Sequence, residues 1–153
     1  MAVPAQRALD DAGARALSVE IVPRPPAHSL PEAAAGLGIE ERRLVKTLVV
    51  RRADDDFLFV LLPGDRQISW PKLRALVRVN RLSMPNAEVA LAATGYERGT
   101  ITPVGSSRSW PVFADERISG RIALGSGERG HALFVDAGEL FAAYHATVAD
   151  LSD

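Results

Sequence analysis

The chain has 153 residues, of which 47% are hydrophobic and 24% charged, with a formal net charge of −1; this fits an ordinary globular domain with a proper core. It contains no cysteine, which excludes disulfides, thiolate nucleophiles and cysteine metal sites. The near-neutral charge argues against a domain that grips nucleic acid by bulk charge alone, because that affinity comes largely from neutralised phosphates. Any contact with RNA is expected to be local, with help from a partner.

The N-terminal stretch Met1 to Asp11 lacks the apolar h-region of a secretory signal. The longest apolar run, Phe57 to Leu62, is too short to span a bilayer. A cytoplasmic protein without membrane contact is expected. Pro4 to Leu17 predicts a helix with Ala8, Leu9, Ala12 and Ala16 near one face. Ser18 to Val22 alternates and predicts a short strand. Pro23 to Ala27 is proline-rich and predicts an extended loop. Ser29-Leu30-Pro31-Glu32 has capping-box spacing and predicts a helix through Leu37, stopped by Gly36 or Gly38.

Leu44 to Val50 is rich in apolar and β-branched residues and predicts a strand covered on both faces. With a turn at Asp54-Asp55-Asp56, it should form a hairpin with Phe57 to Leu62. A short helix is expected over Trp70 to Val77, a strand over Arg78 to Leu82, and a helix over Asn86 to Ala93 that closes at Thr94-Gly95. An irregular loop follows, Gly95 to Ser109. Strands are expected at Val112 to Ala114, Ile122 to Leu124 and Ala132 to Val135, with the turn Gly125 to Gly130 between the last two. Ala137 to Ala149 should be a closing helix. Strands and helices mix without strict alternation, which predicts a single α+β domain over residues 1–153, its mixed, strongly curved, barrel-like sheet flanked by helices.

Lys46 is the first residue that points to chemistry. It interrupts an apolar strand, and burying an unpaired charge is expensive. The lysine therefore either snorkels to the rim or faces a polar cavity. The second feature is the loop from Gly95 to Gly105. Glycines let several N–H groups converge on one point, as a connecting loop or as a nest for a carbonyl or oxyanion. The third is the Gly125 to Gly130 turn, which lacks the lysine and hydroxyl of a phosphate-binding loop and reads as a hairpin turn whose backbone lines a pocket. Arginines from Lys72 onward, Arg74, Arg78 and Arg81, form a solvated face or contact phosphates.

The three histidines, His28, His131 and His145, fit no metal spacing, and no cofactor is expected. His145 falls in the predicted last helix, His131 begins a strand, and His28 precedes the capping box at the mouth of a site. No nucleophile elbow is present, which argues against a serine hydrolase.

Val45-Lys46-Thr47-Leu48-Val49-Val50, then Thr94-Gly95-Tyr96 with Gly99 and Pro103-Val104-Gly105, then Gly127-Glu128-Arg129-Gly130, resemble the YbaK family. These are free-standing editing proteins similar to the insertion domain of bacterial prolyl-tRNA synthetase. The resemblance runs from about Pro26-Ala27 to Leu140. It implies deacylation of mischarged tRNA, often tRNA for proline carrying a small amino acid, with tRNA and prolyl-tRNA synthetase as partners. It implies that Lys46 is the key side chain and that the stretch from Gly99 through Thr100, Ile101 and Thr102 to Pro103 lends N–H groups to the substrate carbonyl. Thr47, Gly125, Ser126 and Gly127 are expected to bind substrate, with His28, Leu30 and Val22 on the pocket wall.

An aminoacyl ester is already activated, so a water, alone or with a substrate hydroxyl acting on it, can attack while the protein positions the ester and steadies the oxyanion. Losing one oxyanion donor typically costs ~3 kcal/mol. Cysteine-specific members carry a serine at the position of Gly125, an aspartate near Ala132 and a tyrosine near Val22, so the resemblance does not extend to a cysteine-specific pocket. The competing readings are a non-catalytic tRNA- or synthetase-binding module and a hydrolase of small aminoacyl esters.

Overall fold

The computed structural model describes residues 4–153, so Met1 to Val3 of the N-terminal stretch lie outside the described residues. The apolar run read as a strand becomes β3 (Asp56–Pro63), buried along almost its whole length. It is an interior strand of a four-stranded sheet, and its side chains feed two cores. Phe57, Phe59 and Leu61 face one core, and Leu58, Val60 and Leu62 face the other. This is the period-two alternation of a strand covered on both sides.

The antiparallel partner of β3 is β2 (Val45–Ala53), in register from Val45 opposite Pro63 to Ala53 opposite Asp56, with an irregularity between Arg51 and Ala53. The expected hairpin is present. On its other side β3 pairs in parallel with β4 (Val112–Asp115), and β4 in parallel with β7 (Thr147–Ala149). A second, three-stranded sheet is antiparallel: β1 (Glu20–Pro23), β6 (His131–Asp136) and β5 (Arg121–Gly125), in that spatial order.

The architecture is α+β with a mixed sheet, as expected, and among the described residues the strands form two open sheets that do not close into one. Among the described residues, the two sheets are joined by one β-bridge, Leu44 beside Ala123, and otherwise pack across a shared core. Strand β2 is consequently an edge strand, and Lys46, Thr47 and Leu48 are only half-buried. Val45 and Val49 of β2 still enter one core and Val50 the other, so the coverage expected of Leu44 to Val50 holds in part and is more complete in β3.

Helices pack on both cores. Ala8 and Ala12 of α1 (Pro4–Ala14) and Leu140 of α5 (Ala137–Ala143) enter the core between the sheets, and Leu73 of α3 (Trp70–Val77) enters the other. Helix α1 ends earlier than predicted, at Ala14, where Leu17 N–H turns back to Ala12 O at 2.8 Å and Ala16 takes a left-handed φ of 55°. Of its predicted face, Leu9 and Ala16 are exposed. Helix α2 (Leu30–Leu37) is capped as its sequence indicates. Ser29 Oγ accepts from Glu32 N–H at 3.2 Å, and Gly38 closes it at φ 70°. Glu32 reaches back one residue further than a capping box requires, to His28 N–H. Helix α4 (Ala87–Thr94) opens on Asn86, whose side chain accepts from Val89 N–H at 2.9 Å, and closes at Gly95.

Two predicted elements are corrected. Arg78 to Leu82 is not a strand: Arg78 caps α3 in the left-handed region, φ 58°, and only Ser83 bridges to Arg51. The last helix stops at Ala143, and β7 takes the place of its predicted continuation. His145, placed by sequence in that helix, sits exposed in the intervening turn at φ 51°. No helix among the described residues is long and apolar enough to cross a membrane.

The tail is pinned by Asp115 at the end of β4. Its fully buried carboxylate accepts from Leu151 N–H and Ser152 Oγ, both at 2.9 Å, from Arg117 N–H at 3.0 Å and from the Arg117 guanidinium at 3.2 Å. Burial pushes its pKa up, but these donors together hold it below the ordinary 3.8. A carboxyl with a depressed folded pKa contributes stability that is complete above its unfolded value and lost as pH falls through the folded one. Asp115→Ala is expected to destabilise the fold by about 3 kcal/mol, since it strips the partner from several buried donors. It should also flatten the loss of stability below pH 3.8. Urea unfolding followed as a function of pH measures both.

Candidate functional site

Between the two points where its outer edge is held, Leu44 beside Ala123 and Arg51 beside Ser83, strand β2 borders a cavity of about 420 Å³. The strand's hydrogen-bonding pattern sets what faces that gap. Arg51 exchanges both backbone hydrogen bonds with Ser83, on the side away from β3. Phe59 N–H, opposite Val49, turns to Pro111 O. By antiparallel alternation, Thr47 and Val49 then point their backbone groups away from β3, toward the cavity.

Lys46 lines this cavity. No carboxylate lies within ion-pair distance of it among the described residues. Burial lowers its pKa, and the charge of Asp65 partly opposes that shift. Arg24, from the proline-rich loop, and Arg98, from the glycine loop, line the same cavity, and no acidic residue does. The rest of the wall is apolar and includes Leu30, Leu44, Leu48, Met84, Ile101 and Leu124. Cations ring a greasy hollow, an arrangement suited to a small apolar group carried on an anionic one.

The glycine loop supplies the opposite wall through Arg98, Gly99 and Ile101. Thr100 N–H closes a turn onto Glu97 O at 3.0 Å. The N–H groups of Gly99 and Ile101 have no partner among the described residues. Gly99 sits at φ 93°, a region closed to most side chains, although the space around a Cβ there is open. Free N–H groups on a cavity wall opposite a lysine form an anion- or carbonyl-binding surface.

The structure thus brings Lys46, Thr47, Leu30, Gly99, Ile101 and Gly125 to one cavity. Thr47 Oγ1, however, is buried without a hydrogen-bond partner. The other expected site residues lie elsewhere. Val22 lines a separate depression with Leu37 and Phe134. His28 is exposed and away from the cavity wall, though Arg24 and Leu30 on either side of it reach that wall. Thr100, Thr102 and Pro103 are buried behind the loop: Thr100 Oγ1 donates to Glu97 O at 2.8 Å, and Thr102 Oγ1 accepts from Val104 N–H at 3.2 Å.

Ser126 ties its own turn together by donating to Glu128 O and His131 O, and Gly127 N–H donates to Thr100 O at 2.8 Å. These residues brace the loop and do not line the cavity. The sequence reading missed Arg24, Arg98, Leu44, Leu48, Gly64, Met84 and Leu124. Arg98 carried a signal, a cation inside the glycine motif. Met84 carried none, because only the Ser83–Arg51 bridge brings its segment to the site. Among the described residues, no group of His, Asp and Glu gathers as a metal site would require.

Gly125 shows why its position excludes a side chain. A Cβ there would stand 2.5 Å from Ile101 O and 2.8 Å from Thr100 O. A serine at this position would push the loop backbone off β5.

The model of the aminoacyl-tRNA editing domain family matches residues 24–142. The proline–tRNA ligase of Caldicellulosiruptor saccharolyticus is 37% identical over 94 residues, which is 61% of this chain and 16% of the ligase. That of Nitratidesulfovibrio vulgaris (strain DP4) is 37% identical over 99 residues, 65% of this chain and 17% of the ligase. The chain therefore matches only a small part of these enzymes' length. A crystal structure described as that of a candidate trans-editing enzyme for prolyl tRNA synthetase superposes with a TM-score of 0.90. Its sequence identity is 25%, and the match covers 100% of this chain and 99% of that one. These likenesses bear out the resemblance to prolyl-tRNA synthetase editing domains.

Gly125→Val is expected to destabilise the fold by about 1–3 kcal/mol through overpacking against the loop carbonyls. Denaturant unfolding measures the change, and a stability equal to the parent's would mean that the loop backbone yields freely.

Proposed function

The chain belongs to the aminoacyl-tRNA editing domain family, and from that premise we propose that it is a trans-acting deacylase of mischarged tRNA in the cytoplasm. Its substrate is tRNA for proline carrying a small amino acid, and prolyl-tRNA synthetase is its partner. One observation supports the reading above others: Lys46 and the free N–H groups of Gly99 and Ile101 border one cavity whose lining holds cations and no carboxylate.

The terminal adenosine of a charged tRNA brings a phosphate, ribose hydroxyls and an aminoacyl ester. Arg24, Arg98 and Lys46 neutralise phosphate charge near the cavity, a local contact that a chain of net charge −1 can make without a basic surface overall. The aminoacyl side chain enters the apolar part bounded by Leu30, Leu48, Met84 and Leu124. The carbonyl oxygen takes the N–H groups of Gly99 and Ile101. Water, or the neighbouring ribose hydroxyl acting on it, adds to the carbonyl carbon. The C–O bond to the ribose then breaks, releasing the free amino acid and a tRNA ending in a hydroxyl.

No side-chain nucleophile is required. The lining offers Thr47, whose hydroxyl is shielded, and Lys46, which serves here as a charge. An apolar pocket separates amino acids differing by one methylene by only about 1–3 kcal/mol, so the shape of this wall sets which residue is removed.

Deacylation assays with tRNAs charged with alanine, cysteine, serine, threonine and proline test the reading. Cleavage of at least one mischarged species is expected, and cleavage of none would leave a tRNA- or synthetase-binding module of the same fold. Lys46→Ala should lower turnover about 100-fold, the scale on which preorganised electrostatic contacts act, while leaving the circular dichroism spectrum unchanged. A variant as active as the parent would sink the role given to Lys46.

The ammonium is the working form, and burial has lowered its pKa. Enzymatic turnover, corrected for spontaneous ester hydrolysis, should therefore fall as pH rises through a value below the ordinary 10.5 of lysine. Lys46→Arg should move that fall to higher pH.

A further inference from the structure

Helix α1 precedes the segment that the family model matches, residues 24–142, yet it closes the glycine loop. Arg7 spans the two ends of that loop. Its Nη1 donates to Gly95 O at 3.2 Å, its Nη2 to Thr94 O at 3.3 Å, and both Nη2 and Nε to Gly105 O at 3.4 Å. The guanidinium lies 4.4 Å from the centre of the Tyr96 ring. The Tyr96 hydroxyl donates inside the loop to Val104 O at 2.7 Å.

One turn further along α1, Asp11 Oδ2 accepts from Gly105 N–H at 2.9 Å and from the Tyr144 hydroxyl. Its other carboxylate oxygen meets Arg15 Nε at 3.1 Å. The contact is close: a Cβ on Gly105 would stand 2.7 Å from the Ala8 nitrogen and the Arg7 carbonyl carbon. The loop closes its own turns, through Thr100 N–H to Glu97 O and Ser106 N–H to Pro103 O, while the N–H groups of Gly99 and Ile101 are without a partner among the described residues. What α1 adds is the anchoring of the loop's two ends.

We infer that Arg7 and Asp11 are positioning residues, which clamp the ends of the Gly95 to Gly105 loop so that Gly99 and Ile101 N–H stay aimed into the cavity. Neither residue lines the cavity, so neither is catalytic. Their effect on turnover rests on the deacylation proposed above; the clamp itself does not. Arginine is required because one planar fork reaches carbonyls at both loop ends, which a lysine's single ammonium cannot do at once.

Arg7→Lys, Arg7→Ala and Asp11→Asn are to be compared with Leu9→Ala, a control at an exposed position of the same helix. The clamp variants should lower kcat about 10- to 100-fold, the scale of a small misplacement of catalytic groups, with KM for charged tRNA unchanged. Amide hydrogen exchange should quicken at Thr100, Ser106 and Gly127, whose N–H groups are bonded within or onto the loop, and not at amides of β3 and β5. Leu9→Ala should change neither readout.

Unaltered exchange at these loop amides in Arg7→Ala would overturn the inference. So would exchange that quickens equally in the loop, β3 and β5, which would make α1 a general stabiliser. Exchange is read without substrate. If the parent protein cleaves no charged tRNA, the deacylase reading falls while the clamp is still decided.

Discussion

Pairing along one edge of β2 is interrupted, and the site follows from that interruption. The strand is paired to β3 on one side from Val45 to Arg51 without a break. On the other it is held at Leu44 and at Arg51, with nothing paired between. A sheet closed there would have had no edge and no opening. Because it stays open, a strand that would otherwise be sealed exposes half-buried side chains and backbone polar groups to a hollow. The lysine on that strand can keep its charge only because the hollow is there. Burial still bears on it, which is why its pKa falls.

The opposite wall is built on another physical basis. Across the gap from β2, the chain offers main chain beside the Arg98 side chain, in a loop where the N–H groups of Gly99 and Ile101 have no partner among the described residues. Such a wall is supported from three directions, two outside the loop and one within it. Helix α1 holds its ends through Arg7 and Asp11. Tyr96 fills its interior. The turn after β5 bonds to it through Gly127. Much of the loop's apparent sequence motif is therefore scaffolding: Thr100, Thr102, Pro103, Ser126 and Gly127 are buried supports, and Gly99, Ile101 and Gly125 reach the cavity.

That division marks how far the sequence could be read. Local signals were legible: the Ser29 and Asn86 caps, the β2–β3 hairpin and the glycine loop are each encoded within a few residues. The β7 pairing was not, because Thr147–Ala149 gains its partner from β4, more than thirty positions earlier, and its pattern continues that of the helix before it. Arg78 misled because a left-handed cap in an arginine carries no compositional mark. At the site, Lys46 and Gly99 were legible as residues out of character with their surroundings. Val22 and His28 were placed by adjacency along the chain, and the fold sends their side chains elsewhere. Arg24 and Met84 reach the cavity only because β6 and β2 carry their segments there: Arg24 N–H bonds Gly130 O, and Ser83 pairs with Arg51.

The split between main-chain and side-chain walls has an evolutionary consequence. The groups proposed to steady the ester belong to the backbone of Gly99 and Ile101. On the same proposal, the outline of the amino acid is drawn by the side chains of Leu30, Leu48, Met84 and Leu124, which line the cavity. Substituting the second set leaves the first where it was. A lineage can therefore exchange one rejected amino acid for another by single-residue changes, without passing through an inactive intermediate. Met84, half-exposed on an unbranched and pliable side chain, is where such drift meets least resistance.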